Sequence, residues 1–399
     1  MVCLASLFKG ADFLRECARA GARVYVVTRA KALGEDWPRE SVEEVLAVPD
    51  APRPEDYVRA IVGLAREVKI DRLVALEEFD VMSAARAREY LCLPGAGGTQ
   101  ARRFRDKLSM RAAALAAGIP VPEFTSVFNF EDVGEYLGRV PPPWVLKPRS
   151  DVSAIGIRKL YEAQEVFAAV HALDARPSLD ERSPSFLLER FVAGDVFHVD
   201  SLVERGRVCF AWASRYGRPP LEVAHGGGAF LSYTVEHGSR DERELFALNR
   251  KLVKGLGLER GAAHAEFIRS HEDGRLYFLE VASRVGGAFT AENVEAGSGV
   301  NLWREWAKIE LAAGDGSYVA PKPRRDHSGI VLSLARQERP DTSAYDDPEI
   351  AFRPQKQHHV ALIVRSPRHE RVCELLDDYA RRFAAEFVAV APPYEKPPI

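Results

Sequence analysis

Much that would place a chain quickly is absent from these 399 residues. The five cysteines (Cys3, Cys17, Cys92, Cys209, Cys373) are scattered and include no C-x-x-C pair. Neither a disulfide framework nor a zinc site is therefore supported. No apolar run approaches the roughly 20 residues needed to span a bilayer. The opening MVCLASLFKG has no basic lead and no small-residue cleavage site, so it suits a first β-strand better than a secretion signal. Charge is balanced, with 55 basic against 58 acidic residues and no basic block or acidic tail. That argues against a nucleic-acid or membrane-surface binder. A cytoplasmic globular protein is the expectation.

What is present first is alternation. VCLASL (2–7), RVYVVT (23–28) and RLVAL (72–76) read as strands. Helical patterns at 11–21, 57–70 and 80–91 lie between and after them, which predicts a parallel sheet with crossover helices. The first turn carries only Gly10, so the G-x-G-x-x-G dinucleotide fingerprint is missing. LPGAGG (93–98) is a loop and a domain boundary, and a single long helix is expected over 99–118. Beyond it, hairpins are expected at 194–215, turning at Glu204-Arg205-Gly206, and at 263–281, turning at Asp273-Gly274. A helix at 300–314, two more strand patterns and a final helix complete the chain.

Charged residues sit where apolar strands end. Lys147 closes WVLK and precedes a small-residue loop, a placement suited to holding a phosphate under backbone N–H groups. Lys107, in FRDKLSMR, reads on its own as a solvated helix residue. Glu189 closes FLLE before a connector at Phe191-Val192; pairing with Arg190 or Arg182 would explain it equally well. Glu266 and Glu280 lie on the two strands of one predicted hairpin. On one face they would repel unless they shared a proton or a hard cation lay between them, and Mg²⁺ with phosphate oxygens satisfies that. Arginine pairing is the alternative. Arg284 could neutralise either carboxylate, or bind a carboxylate substrate or developing negative charge. Gly286-Gly287 is expected to let the backbone approach a ligand closely.

The order of these elements resembles the ATP-grasp superfamily, and within it the carboxylate–amine ligases of the L-amino-acid type. RDKLSMR, WVLKPRSDVSAIGI, LLERFVAGDVFHVD, GAAHAEF and FLEVASRVGG carry the resemblance. It implies an α/β chain with a parallel pre-ATP-grasp domain (1–95) and a two-lobed α+β grasp (96–193 and 194–320). A small α+β segment (321–399) follows, placed to complete the substrate lobe or form a homodimer contact. ATP with Mg²⁺ or Mn²⁺ would be the cofactors, and a small carboxylate and an amine the substrates. Lys107 and Lys147 would contact phosphates under the 150–156 loop, with Glu189 beside the adenine amino group and the Phe191 and Val192 backbone on the ring. Val145, Ser153, Gly156, Asp195 and Leu279 would also surround the nucleotide. Glu266 and Glu280 would hold metal, and Arg284, with Lys147, would serve the chemistry.

The pattern is departed from twice. Valine at 196 stands where a ribose-binding glutamate is common, leaving Asp195 or His198 to substitute. Ala282 stands where asparagine often follows the second metal glutamate. The implied reaction transfers the γ-phosphoryl of ATP to a carboxylate, and an amine then attacks the acyl phosphate. A carboxylase-like or purine-pathway member, or a non-catalytic ATP-binding regulator, are the alternatives.

Overall fold

A computed structural model describes residues 1–151, 156–219, 228–312 and 318–389. Its first domain holds four parallel strands, β1 (Val2–Leu4), β2 (Tyr25–Arg29), β3 (Glu44–Val48) and β4 (Leu73–Ala75), in the order β3-β2-β1-β4. β1 is buried along its whole length because both faces are covered. Val2 and Leu4 pack with Ile61 and Ala84 on one side. Cys3 and Ala5 pack with Phe13 and Leu14 on the other, in a core that continues through Trp306 to Leu202 and Ala262. β3 has no clear signal in the sequence, since its exposed edge carries Glu44 and a broken apolar pattern.

The second sheet contains β5 (Phe124–Ser126), β6 (Trp144–Pro148), β7 (Arg158–Leu160) and β8 (Phe186–Arg190), antiparallel in the order β5-β8-β6-β7. The third has eight strands. β9 (Gly194–Glu204) and β10 (Arg207–Tyr216) form the first expected hairpin, with Arg205 and Gly206 both left-handed at φ 52° and 69°. β11 (Phe230–Thr234) follows, then β12 (Arg260–Ser270) and β13 (Leu276–Ala282), the second expected hairpin. β14 (His327–Leu334), β15 (Ile350–Phe352) and β16 (His359–Ser366) extend the same sheet, in the order β13-β12-β9-β10-β11-β14-β16-β15. The C-terminal strands are thus continuous with β9–β13, and the helix His369–Glu386 packs its Val372, Leu376 and Tyr379 onto them.

The expected long helix over 99–118 is two helices, Gly98–Arg102 and Lys107–Ala116. Asp106 breaks the run: its carboxylate accepts the N–H groups of Leu108 and Ser109, capping the second helix. Arg149 holds the same carboxylate from β6's end. Lys107 therefore opens a helix and is buried. No described helix is long and apolar enough to cross a membrane.

Candidate active site

β6, β8 and the β12–β13 hairpin meet the helix Lys107–Ala116 around a cavity of about 700 Å³. Lys107, Val145, Lys147, Glu189, Phe191, Val192 and Asp195 line it from one side. Glu266, Leu279, Glu280 and Arg284 line it from the other. The cavity also takes in Glu78, Tyr216 and His264, which the sequence did not single out as a group.

Glu266 and Glu280 are direct cross-strand partners. A β-bulge makes them so. Below it, Phe267 pairs with Phe278; above it, Glu266 pairs with Glu280, and Leu279 is the extra residue. Side chains alternate along a strand, so without that insertion Glu266 would face Leu279 and Glu280 would point to the opposite sheet face. Two carboxylates side by side, one of them 38% exposed into the cavity, form a hard-oxygen donor set that fits Mg²⁺. Glu280 is balanced by the Lys107 ammonium at 3.1 Å. Burial would raise its pKa, yet Lys107 and then Lys147 hold it down at about 2. Lys107 also donates to the Asp151 carbonyl at 2.6 Å.

Beneath the cavity floor lies a buried ion network. Arg111, fully enclosed, donates to Glu189 through Nε (3.0 Å) and Nη2 (2.8 Å). Its Nη1 donates to the carbonyl of Leu279, the bulge residue. One guanidinium thus neutralises a buried carboxylate and serves the backbone group that the irregular ladder displaces. The Lys147 ammonium contacts the other oxygen of Glu189. Burial lowers Lys147 to about 8; Glu189 opposes the shift, while Arg111 and Lys107 add to it. The Glu189 carboxyl is depressed all the same, because Arg111 and Lys147 together outweigh its desolvation. Glu189 is thus partnered by Arg111 and Lys147, while Arg190 reaches Glu272 instead. The sequence clue to Arg111 is its spacing four residues after Lys107, which puts both on one helix face.

Arg284 pairs with neither Glu266 nor Glu280. Its Nη2 donates to Glu78 at 2.7 Å and its Nε lies 3.9 Å from Glu77, both in the first domain. Glu77 is also bridged by Lys9, and Glu78 by Arg105 at 3.4 Å. ALEEFD follows the carboxyl end of β4, where ligands bind in open parallel sheets, and that was the available signal.

Some expectations are corrected. The Phe191 N–H, in the connector that lines the cavity, is donated to the Pro143 carbonyl (3.0 Å). His198 cannot reach a ribose: it is buried, with Nδ1 on Asp200 and Nε2 on Ser232, both at 2.7 Å. Asp195 lines the cavity and pairs with Arg215 at 2.8 Å. Gly286 makes room for protein rather than ligand, since a Cβ there would come within 2.8 Å of His264 Nδ1 and 2.9 Å of Thr290. Gly287 does face the cavity. Gly156, left-handed at φ 71°, is exposed and outside the lining, and Ser153 lies outside the described residues.

Two family models match the sequence. The model of the ATP-grasp domain matches residues 140–292, and that of the ATP-grasp N-terminal domain matches 14–95, together more than half of the chain. The chain belongs to the ATP-grasp superfamily. Among curated relatives of this ATP-grasp protein is the L-arginine-specific L-amino acid ligase of Bacillus subtilis, 25% identical over 248 residues, which are 60% of this chain and 58% of that one. Alanine–anticapsin ligase of Bacillus subtilis is 27% identical over 272 residues, 62% of this chain and 55% of that protein. The chain spans little more than half the length of these curated relatives. An L-amino acid ligase structure from Bacillus licheniformis shares the fold at TM-score 0.73 and 18% identity, over 98% of both chains. N5-carboxyaminoimidazole ribonucleotide synthetase from Thermus thermophilus does so at 0.72 and 19%, over 98% of this chain and 99% of that one.

Proposed function

We propose that this protein is an ATP-dependent carboxylate–amine ligase that activates an amino-acid carboxylate as an acyl phosphate, joins it to an amine and releases ADP and phosphate. The observation that supports it most is the cross-strand pair Glu266–Glu280 lining one cavity together with Lys107, Lys147 and Arg284. The named activities of the ligase relatives favour the same chemistry.

A carboxylate is a poor electrophile because its oxygen is a bad leaving group; phosphorylation makes that oxygen a good one. Mg²⁺ held by Glu266 and Glu280 would neutralise phosphate charge during the transfer. Lys107 and Lys147 would supply two ammonium groups to the phosphates, and the buried Arg111–Glu189 network holds Lys147 in position. Arg284, at the mouth of the first domain, is the guanidinium available to a carboxylate or to the tetrahedral oxyanion that follows amine attack. Glu78 holds it in a fixed orientation until a substrate competes for it. The lobes enclose these groups, which strengthens each interaction and keeps water from the acyl phosphate.

The test is release of ADP and phosphate over a panel of amino-acid pairs, with the amide-linked product identified by mass spectrometry. Turnover with at least one pair is the expected result. ADP formation with bicarbonate alone would favour a carboxylase instead, and tight ATP binding without ADP formation from any acid–amine pair would overturn the proposal.

A further inference from the structure

A hydrogen-bonded chain runs behind Glu266, and the proposed chemistry does not use it. Asp200, 1% exposed, accepts from His198 Nδ1 through one oxygen (2.7 Å) and from His264 Nδ1 through the other (2.8 Å). An ionised carboxylate only accepts, so both rings carry their proton on Nδ1. His198 is anchored at its far side by Ser232 (2.7 Å). His264 is therefore held from behind with Nε2 directed into the cavity, 3.6 Å from Glu266 Oε1 and 3.5 Å from the Tyr216 hydroxyl. Tyr216 in turn donates to the same Glu266 oxygen at 2.7 Å.

The surroundings are shaped for this ring. His264 is the direct cross-strand partner of Ala282, on the face that carries Glu266 and Glu280. Alanine at 282 leaves the neighbouring volume to the imidazole. Gly286 does the same on the other side, where a methyl group would strike Nδ1. Although His198, Asp200 and His264 lie close enough together to be considered as a cation site of their own, an ion there would have to displace both Nδ1–Asp200 hydrogen bonds. The satisfied network favours a brace over a second metal centre.

We propose that the Tyr216 hydroxyl holds Oε1 of Glu266 so that its other oxygen is presented to the metal, and that Asp200 is a positioning residue that fixes the His264 ring beside this pair. This rests on the proposed role of Glu266 as a ligand of the nucleotide-bound metal. Partners of this kind typically alter metal affinity about 10–100-fold when removed.

The experiment measures Mn²⁺ binding to the intact protein loaded with the non-hydrolysable analogue AMP-PNP, reading free Mn²⁺ by electron paramagnetic resonance. Metal-free AMP-PNP affinity is measured alongside. Tyr216→Phe removes one hydroxyl, His264→Gln keeps a side-chain N–H donor, and Asp200→Asn removes the bracing charge. Tyr216→Phe and Asp200→Asn should each weaken Mn²⁺ binding by about tenfold, with metal-free nucleotide affinity unchanged. Asp200→Asn combined with His264→Gln should be no worse than the more severe single variant, because the two act in series. Unchanged Mn²⁺ affinity in Tyr216→Phe or in Asp200→Asn, or additive losses in the double variant, would overturn the positioning role while leaving the ligase assignment intact. A wild-type protein that binds AMP-PNP but recruits no Mn²⁺ would overturn both.

Discussion

Arg111→Met tests whether the buried network carries the site. The side chain is fully enclosed, and it gives two hydrogen bonds to Glu189 and one to the Leu279 carbonyl. Methionine keeps much of the volume over Phe278 and removes the charge. Glu189, itself 4% exposed, is then left with Lys147 alone, and the bulge carbonyl loses its donor. Removing one partner of a buried pair costs about 3–5 kcal/mol. For a unit of 150–250 residues that corresponds to a fall in thermal midpoint of roughly 6–20 °C. The assay is thermal and urea unfolding near pH 7, repeated on Glu189→Gln, which leaves Arg111 and Lys147 without their shared carboxylate and should destabilise by a similar amount. An Arg111→Met or Glu189→Gln variant that loses less than about 1 kcal/mol would refute the reasoning.

Two further outcomes follow from the same geometry. Lys147 is lowered to about 8 in the empty protein by burial, and bound triphosphate favours its ammonium form. Nucleotide binding should therefore take up a proton above that pH, and affinity should fall as pH rises through it, by at most about tenfold per unit; equal affinity across that range by calorimetry would contradict this. Gly286→Ala should destabilise by about 1–3 kcal/mol through collision with His264 and Thr290, whereas Gly287→Ala, with nothing within 4 Å, should leave the unfolding midpoint unchanged; equal effects of the two would contradict the assignment of that space.

The parallel first sheet and both long hairpins were legible because their signals are local: strand–helix alternation, and Arg205-Gly206 and Asp273-Gly274 at the turns. The meeting of Glu266 with Glu280 was legible only as a possibility. Their fourteen-residue separation does not settle which face each takes; the unpaired Leu279 settles it, and nothing in FLEVA marks a bulge. The break at Asp106 was hidden because RRFRDKLSMR keeps helical composition throughout, and the cap shows itself only when Arg149 arrives from β6. Arg111, Glu77, Glu78 and Asp200 were missed for a shared reason. Each acts on a residue far away in the chain, across 78 positions for Arg111–Glu189 and 206 for Glu78–Arg284. Local sequence carries a charged residue's presence, but its partner is chosen by the packing of segments far apart in the chain.

The proposed acyl phosphate is open to one direct measurement. With a substrate amino acid labelled by ¹⁸O in its carboxylate, the oxygen that attacks the γ-phosphorus leaves with the phosphate when the amine displaces it. Mass spectrometry of the released phosphate should find one ¹⁸O per molecule formed, and Glu280→Gln should release none. Unlabelled phosphate accompanying product formation would contradict the account.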